Sequence, residues 1–194
     1  MPDWRPLIVR RKDGYPRIMG VINITPDSFF EDSRSNNISE TIKIAQSMIQ
    51  NGADWLDVGG ESTRPGAEPV EEEEEISRVV PVIRELREKF PEIGISVDTR
   101  RSKVAKLSLK EGADMINDIS ALSDENMINI IKQSDCYICL MHMKGLPGNM
   151  QDNPQYDDVV AEVRSRLNEK VSLLIREGID RERIIVDPGI GFGK

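Results

Sequence analysis

Residues 93–118 read IGISVDTRRSKVAKLSLKEGADMIND, and the parsing of this stretch decides the fold. Ile93–Asp98 is a short apolar run closed by an aspartate, and Asp114–Asp118 is a second one closed by Asn117-Asp118. Between them, Ser102–Lys110 has helical composition and stops at Gly112, a residue suited to a helix C-terminus. Strands without polar alternation, joined through a helix, describe a βαβ unit in a parallel sheet covered on both faces.

Working outward, the same unit recurs. Strands are expected at Arg17–Asn23, Asp54–Gly59, Tyr137–Met141 and Arg183–Asp187, and helices at Ile38–Asn51, Glu71–Phe90, Asp124–Gln133 and Tyr156–Arg176. A short strand at Leu7–Arg10 would fall in a polar lead-in of residues 1–16. Two architectures wind this way, an open doubly wound sheet and a (β/α)8 barrel. Polar groups close every strand: Asn23, Asp57 to Glu61, Asp98, Asn117-Asp118, His142 and Asp187. A barrel gathers all such ends at one mouth, whereas an open sheet brings only its switch point to a ligand. The pattern therefore predicts an α/β fold of TIM-barrel type over residues 17–194, with about six βα units, stopping before strands seven and eight.

The formal net charge of -8 argues against a uniform nucleic-acid or anionic-membrane binder. No run approaches the roughly 20 apolar residues of a membrane span, and Met1–Arg5 has no secretory apolar region, so a cytoplasmic location is expected. Cys136 and Cys139 form a C-x-x-C, but within a strand such a pair points to opposite faces, so two small buried residues are expected rather than a redox or zinc pair. The acidic run Glu71–Glu75 reads as a solvated helix start that complements the helix dipole.

The strand ends carry the chemistry. Asn23 alone reads as a turn residue, but it precedes the Pro-containing segment Ile24-Thr25-Pro26-Asp27-Ser28-Phe29, which suits a ligand-facing loop. After the second strand, Gly59 and Gly60 let backbone N–H groups approach an anion, and Thr63 and Arg64 add a hydroxyl and a fixed cation. Glu61 could instead pair with Arg64. Asp98 could be only a helix N-cap; with Asn117 on the neighbouring strand it could read the donor and acceptor edge of a heterocycle. His142, the only histidine, reads as a hydrogen-bond-satisfied strand-end residue. Asp187–Lys194, DPGIGFGK, matches neither a Walker A loop nor the dinucleotide fingerprint, so neither ATP nor NAD binding follows.

Taken together, Met19–Phe29, Asp57–Val70, Ser96–Thr99, Gly112–Ser120, Leu140–Gly145 and Asp187–Lys194 resemble dihydropteroate synthase, from about Ile18 to Lys194. The resemblance implies a TIM barrel and a step of folate biosynthesis: 6-hydroxymethyl-7,8-dihydropterin diphosphate loses diphosphate as 4-aminobenzoate attacks its CH2 carbon. It implies that Asn23 holds Mg²⁺ and that Thr63 contacts the diphosphate side. Asp98, Asn117 and Asp187 would bind the pterin and carry the catalysis, while Arg64, Pro65 and Phe192 would shape the aminobenzoate site. Met141 would also contact substrate. A carboxylate such as Asp187 suits the paired N–H donors of an aminopyrimidine, and an ionised aspartate would stabilise positive charge developing during C–O cleavage. A lysine and an Arg-x-His that the resemblance implies on later strands cannot be placed in these 194 residues. A truncated gene or fragment, with negligible turnover by itself, is therefore expected, and a homodimer at full length. The alternatives are a pterin-binding methyltransferase domain, which has no need of the Thr63–Gly66 run, or an inactive pterin-binding fragment.

Overall fold

The computed structural model describes Ile8 and residues 11–24, 34–61, 70–145 and 150–194. Six strands form one parallel sheet: β1 Met19–Asn23, β2 Trp55–Gly59, β3 Gly94–Asp98, β4 Met115–Asp118, β5 Tyr137–Met141 and β6 Ile184–Asp187. Five helices connect them: α1 Arg34–Gln50, α2 Glu72–Lys89, α3 Ser102–Lys110, α4 Met127–Lys132 and α5 Val159–Arg176. The strand order is the chain order, β1-β2-β3-β4-β5-β6. A doubly wound sheet reverses direction at its switch point; this one never does, which is the winding of a (β/α)8 barrel carried through six units. The short strand expected at Leu7–Arg10 lies outside the described residues except for Ile8, which is helical.

Two helices begin later than their apolar periodicity predicts, and a carboxylate explains each. α5 was expected from Tyr156, but the Asp158 side chain accepts from the N–H groups of Val160 and Ala161 and sets the N-cap there. α4 was expected from Asp124, but that carboxylate accepts from the backbone N–H groups of Ser102 and Asn126, so it serves the start of α3 and a turn. α3 has the expected bounds, and α1 begins at Arg34, four residues earlier than Ile38.

The pleat sorts side chains between two apolar cores. Leu56, Val58, Ile95, Val97, Ile116, Ile138 and Leu140 face outward and pack with Ala45, Val79, Ile83, Leu86, Val104 and Ile131 from the helices, all essentially without solvent exposure. The alternate residues face inward. There Trp55, Met115 and Tyr137 form a second cluster, with Ile8, Cys139 and Ile185 packed against it. The Trp55 and Tyr137 rings meet edge to face at 6.3 Å. Gly94 makes this possible, because a Cβ there would lie 2.3 Å from the indole. Among the described residues no helix is long and apolar enough to cross a membrane.

The lower ends of the strands are fastened by arginines. Arg17 donates to Asp54 at 2.6 Å, and the second Asp54 oxygen accepts from the Ile18 N–H at 2.9 Å. Arg87 pairs with Asp114 and donates to the carbonyls of Pro91, Ile93 and Gly112. One guanidinium thereby ties α2 to the starts of β3 and β4.

Candidate active site at the strand ends

Register assembles the site. Asn23 pairs with Gly59, Gly59 with Asp98, Asp98 with Asn117 and Asn117 with Cys139, so one row crosses five strands at the upper end of the inner face. Asp187 lies beside Met141 at the tops of β6 and β5, on the same face. Gly59 lets the row converge. A Cβ there would lie 3.4 Å from an Asp98 carboxylate oxygen and 3.6 Å from the Asn23 amide oxygen, so the missing side chain leaves room for both groups.

Asp57 sits one register step below, level with Ser96, Met115 and Tyr137. The Asn117 amide donates to it at 3.0 Å. Burial pushes the Asp57 carboxyl above its ordinary range, and the hydrogen bond from Asn117 only partly offsets this; Asp57 Oδ1 and the neighbouring Ser96 hydroxyl are buried without a hydrogen-bond partner. Asp98 is pushed well above its ordinary range, first by burial and then by the nearby charges of Asp57, Glu75, Asp118 and Glu61. None of Asp57, Asp98 and Asp187 forms an ion pair with another described residue. For Asp57 and Asp98, burial without a paired cation disfavours the charged form, and an arriving positive charge would favour it. Asp98 is not a helix N-cap: Arg101 holds that position at α3, without a side-chain cap.

The thiol of Cys139 shows where these acids converge. Burial and the charges of Asp187, Asp57, Asp98 and Asp118 push it up to about 12, so it stays a protonated, unreactive group. Cys136 is buried, just ahead of β5, and accepts from the Ser134 hydroxyl. Both cysteines are free; only Cys139 lies on β5, and it is half-buried, so the expected pair of buried strand residues is not formed.

Asp187 also shapes its own loop. Its Oδ1 accepts from the Gly189 N–H at 2.7 Å, and its carbonyl accepts from the His142 N–H. Gly189 has φ +62°, and a Cβ there would lie 2.2 Å from the His142 carbonyl oxygen, so no other residue lets the β6 loop lie so close to the end of β5. Lys194 Nζ donates to the carbonyls of His142, Gly189 and Phe192, which makes it a cap on this loop. Phe192 is half-buried there, and Met141 is buried.

Two expectations need correction. His142 is buried, but its Nδ1 has no hydrogen-bond partner, so it is not satisfied; burial and then Lys194 push its pKa down and keep it neutral. The acidic run is solvated only through Glu74. Glu75 is 1% exposed and accepts from Arg101, so the helix start turns its fourth carboxylate inward.

The signal missed in the sequence is Arg100-Arg101. Arg101 donates to Glu61 at 2.7 Å, to Glu75 and to the Val70 carbonyl, and Arg100 donates to Glu61 at 3.0 Å. Arg78 donates to the Gly60 carbonyl at 2.8 Å. These bonds hold both ends of the segment carrying Thr63, Arg64 and Pro65, three expected site residues that lie outside the described residues. A pair of arginines right after a strand-end aspartate, facing a Glu-rich helix start, could have suggested the clamp.

Comparison with known proteins shows the family. Residues 19–194 match the family model described as "Pterin binding enzyme". The chain is 45% identical over 180 residues to dihydropteroate synthase of Escherichia coli, covering 93% of this chain and 64% of that one. It superposes with a TM-score of 0.85 and 41% identity on Yersinia pestis dihydropteroate synthase, solved with a sulfonamide drug complex, covering 92% of this chain and 65% of that one. Xanthomonas albilineans dihydropteroate synthase, solved with 4-aminobenzoic acid, gives 0.82 and 42%, covering 92% and 63%. The chain thus spans a little under two thirds of the length of these relatives.

Proposed function

Because this chain belongs to the pterin-binding enzyme family, we propose that it supplies the pterin pocket of a dihydropteroate synthase. The reaction joins 6-hydroxymethyl-7,8-dihydropterin diphosphate to 4-aminobenzoate. A C–N bond forms at the pterin CH2, the C–O bond breaks, diphosphate leaves with the electron pair, and the amine gives up a proton. The observation that carries this reading is the inner-face group of Asp98, Asn117 and Asp187, oxygen acceptors without an ion-pair partner among the described residues.

An aminopyrimidine edge presents N–H donors, which carboxylate and amide oxygens accept. Asp187 keeps capacity for this, since each carboxylate oxygen can accept more than one bond. Asp98, with its raised affinity for a proton, is suited to meet a centre that becomes positive as the C–O bond stretches: incoming positive charge restores its ionised form and is stabilised by it. The amine is already a neutral nucleophile, so no strong base is required.

The donor chemistry at Asn23 fits Mg²⁺. Its amide oxygen and the Asp98 carboxylate adjoin across Gly59, and Mg²⁺ takes one or two protein oxygens together with substrate phosphates. Among the described residues no group of three or more His, Cys, Asp or Glu could cage a metal, which suits an ion arriving with the diphosphate. Asn23 would hold it, and the bound ion supplies charge neutralisation of the leaving group. Thr63 would contact the diphosphate side; Arg64, Pro65 and Phe192 would flank the aminobenzoate, and Met141 the pterin. A cytoplasmic location and a homodimer at full length accompany this reading.

The test is to incubate the full-length protein carrying this sequence with both substrates and Mg²⁺ and to follow dihydropteroate and diphosphate. Equal release of the two is expected, and release of neither overturns the reading. For the 194 residues alone, pterin binding with negligible synthesis is expected, because the cationic partners of the diphosphate are not among them.

A further inference from the structure

We propose that Asp57 is a positioning residue: it fixes the Asn117 amide so that its oxygen is left for the pterin. The inference rests on the pterin reading above. The bond from Asn117 Nδ2 to Asp57 Oδ2 spans 3.0 Å between residues sixty positions apart, on strands separated by β3. In that bond the Asn117 NH2 group is the donor and a carboxyl oxygen of Asp57 the acceptor, so the NH2 end of the amide is the one engaged. The oxygen, at the other arm of the planar amide, is then the end available to a ligand. Without Asp57 either end could face the ligand, and the wrong one would set an NH2 group against the pterin's own N–H donors.

The position of Asp57 supports a directed role. It is 5% exposed and shares its register level with Met115 and Tyr137, in the layer that seals the inner face. A carboxylate is costly there, and an apolar residue would complete the seal. No described cation pairs with it, so it does not serve as half of an ion pair. Its one strong side-chain hydrogen bond goes upward, to the residue on which the pocket depends. Asp57 is thereby assigned to act through Asn117, the one side chain bonded to it.

The experiment is a double-mutant cycle read by titration calorimetry with 6-hydroxymethylpterin, using Asp57→Leu, Asn117→Leu and the double variant, with Asp57→Asn as the conservative control. Asp57→Leu should weaken binding about tenfold or more, and the double variant should bind no more weakly than Asn117→Leu alone. Asp57→Asn, which keeps an acceptor for the amide, should stay within about threefold of wild type. Additive losses, wild-type binding by Asp57→Leu, or an equal loss in Asp57→Asn would each overturn the inference. A folded wild-type chain that binds no pterin would defeat the functional reading instead. Side-chain NMR then decides the inference on its own: one Asn117 Nδ2 hydrogen should be protected from exchange in wild type and released in Asp57→Leu. An unchanged resonance would refute the assignment.

Discussion

Aspartates stand at both ends of this sheet, and the two ends partner them differently. At the lower end Asp54 is paired with Arg17 and Asp114 with Arg87, and each also accepts a backbone N–H. At the upper end Asp57, Asp98 and Asp187 have no ion-pair partner among the described residues, and burial, then the charges of Asp57, Glu75, Asp118 and Glu61, push Asp98 well above its ordinary range. The lower end is ion-paired, although burial still pushes Asp114 up, and it reads as stability. The upper end leaves its acids unpaired, at the strand ends where barrels of this kind carry their sites, and under the proposed function a ligand with N–H donors or positive charge would complete it.

The largest effect that sharpens the contrast is at the lower end. Arg87→Met should destabilise the fold by roughly 3–5 kcal/mol, because it leaves the buried Asp114 carboxylate without its partner. Urea unfolding measures this; a change below about 1 kcal/mol would mean that the lower end is not held electrostatically. Next comes the clamp beside the mouth. Arg101→Met strips Glu75, Glu61 and the Val70 carbonyl of a shared donor and should cost about 1–3 kcal/mol. It should also raise KM more than it lowers kcat if the clamp places the Thr63–Pro65 segment. Equal changes in both would assign Arg101 to general stability.

The upper end should respond with the opposite sign. Asp98→Asn removes a crowded buried acid and should stabilise the fold by roughly 0.5–2 kcal/mol. The smallest effect is the pH dependence of wild type. Asp57 and Asp98 have folded-state pKa values above the unfolded one, so the native state keeps protons that the unfolded chain releases. Stability is therefore full below the unfolded value of about 3.8 and declines as pH rises toward the folded values. Unfolding midpoints at pH 5 and pH 8 should show this decline in wild type and a shallower one in Asp98→Asn; identical slopes would remove Asp98 as its source.

Much of this was legible in the sequence because it rests on local rules. Strands buried on both faces announce themselves as apolar runs, and β5, Tyr137–Met141, has the bounds read from it. The barrel reading came from where Asn23, Asp98, Asn117 and Asp187 fall at strand ends, which needs no tertiary knowledge. What could not be read depends on partners distant in sequence. Glu75 looks like its four acidic neighbours until Arg101, twenty-six positions away, draws it inward. The role of Lys194 likewise shows only in the structure, where its ammonium donates to three carbonyls. Asp57 reads as one more strand-end acid, and only the register of β2 against β3 and β4 places it beneath Asn117.

The contrast between the two ends reduces to one measurement: the affinity of 6-hydroxymethylpterin for wild type and for Asp98→Asn, taken on the same samples as their urea unfolding. A charge-assisted bond to the carboxylate is worth about 1.5–3 kcal/mol, so the variant should bind at least tenfold more weakly while unfolding at a higher urea concentration. A variant that gains stability and binds the pterin as tightly as wild type would contradict the account.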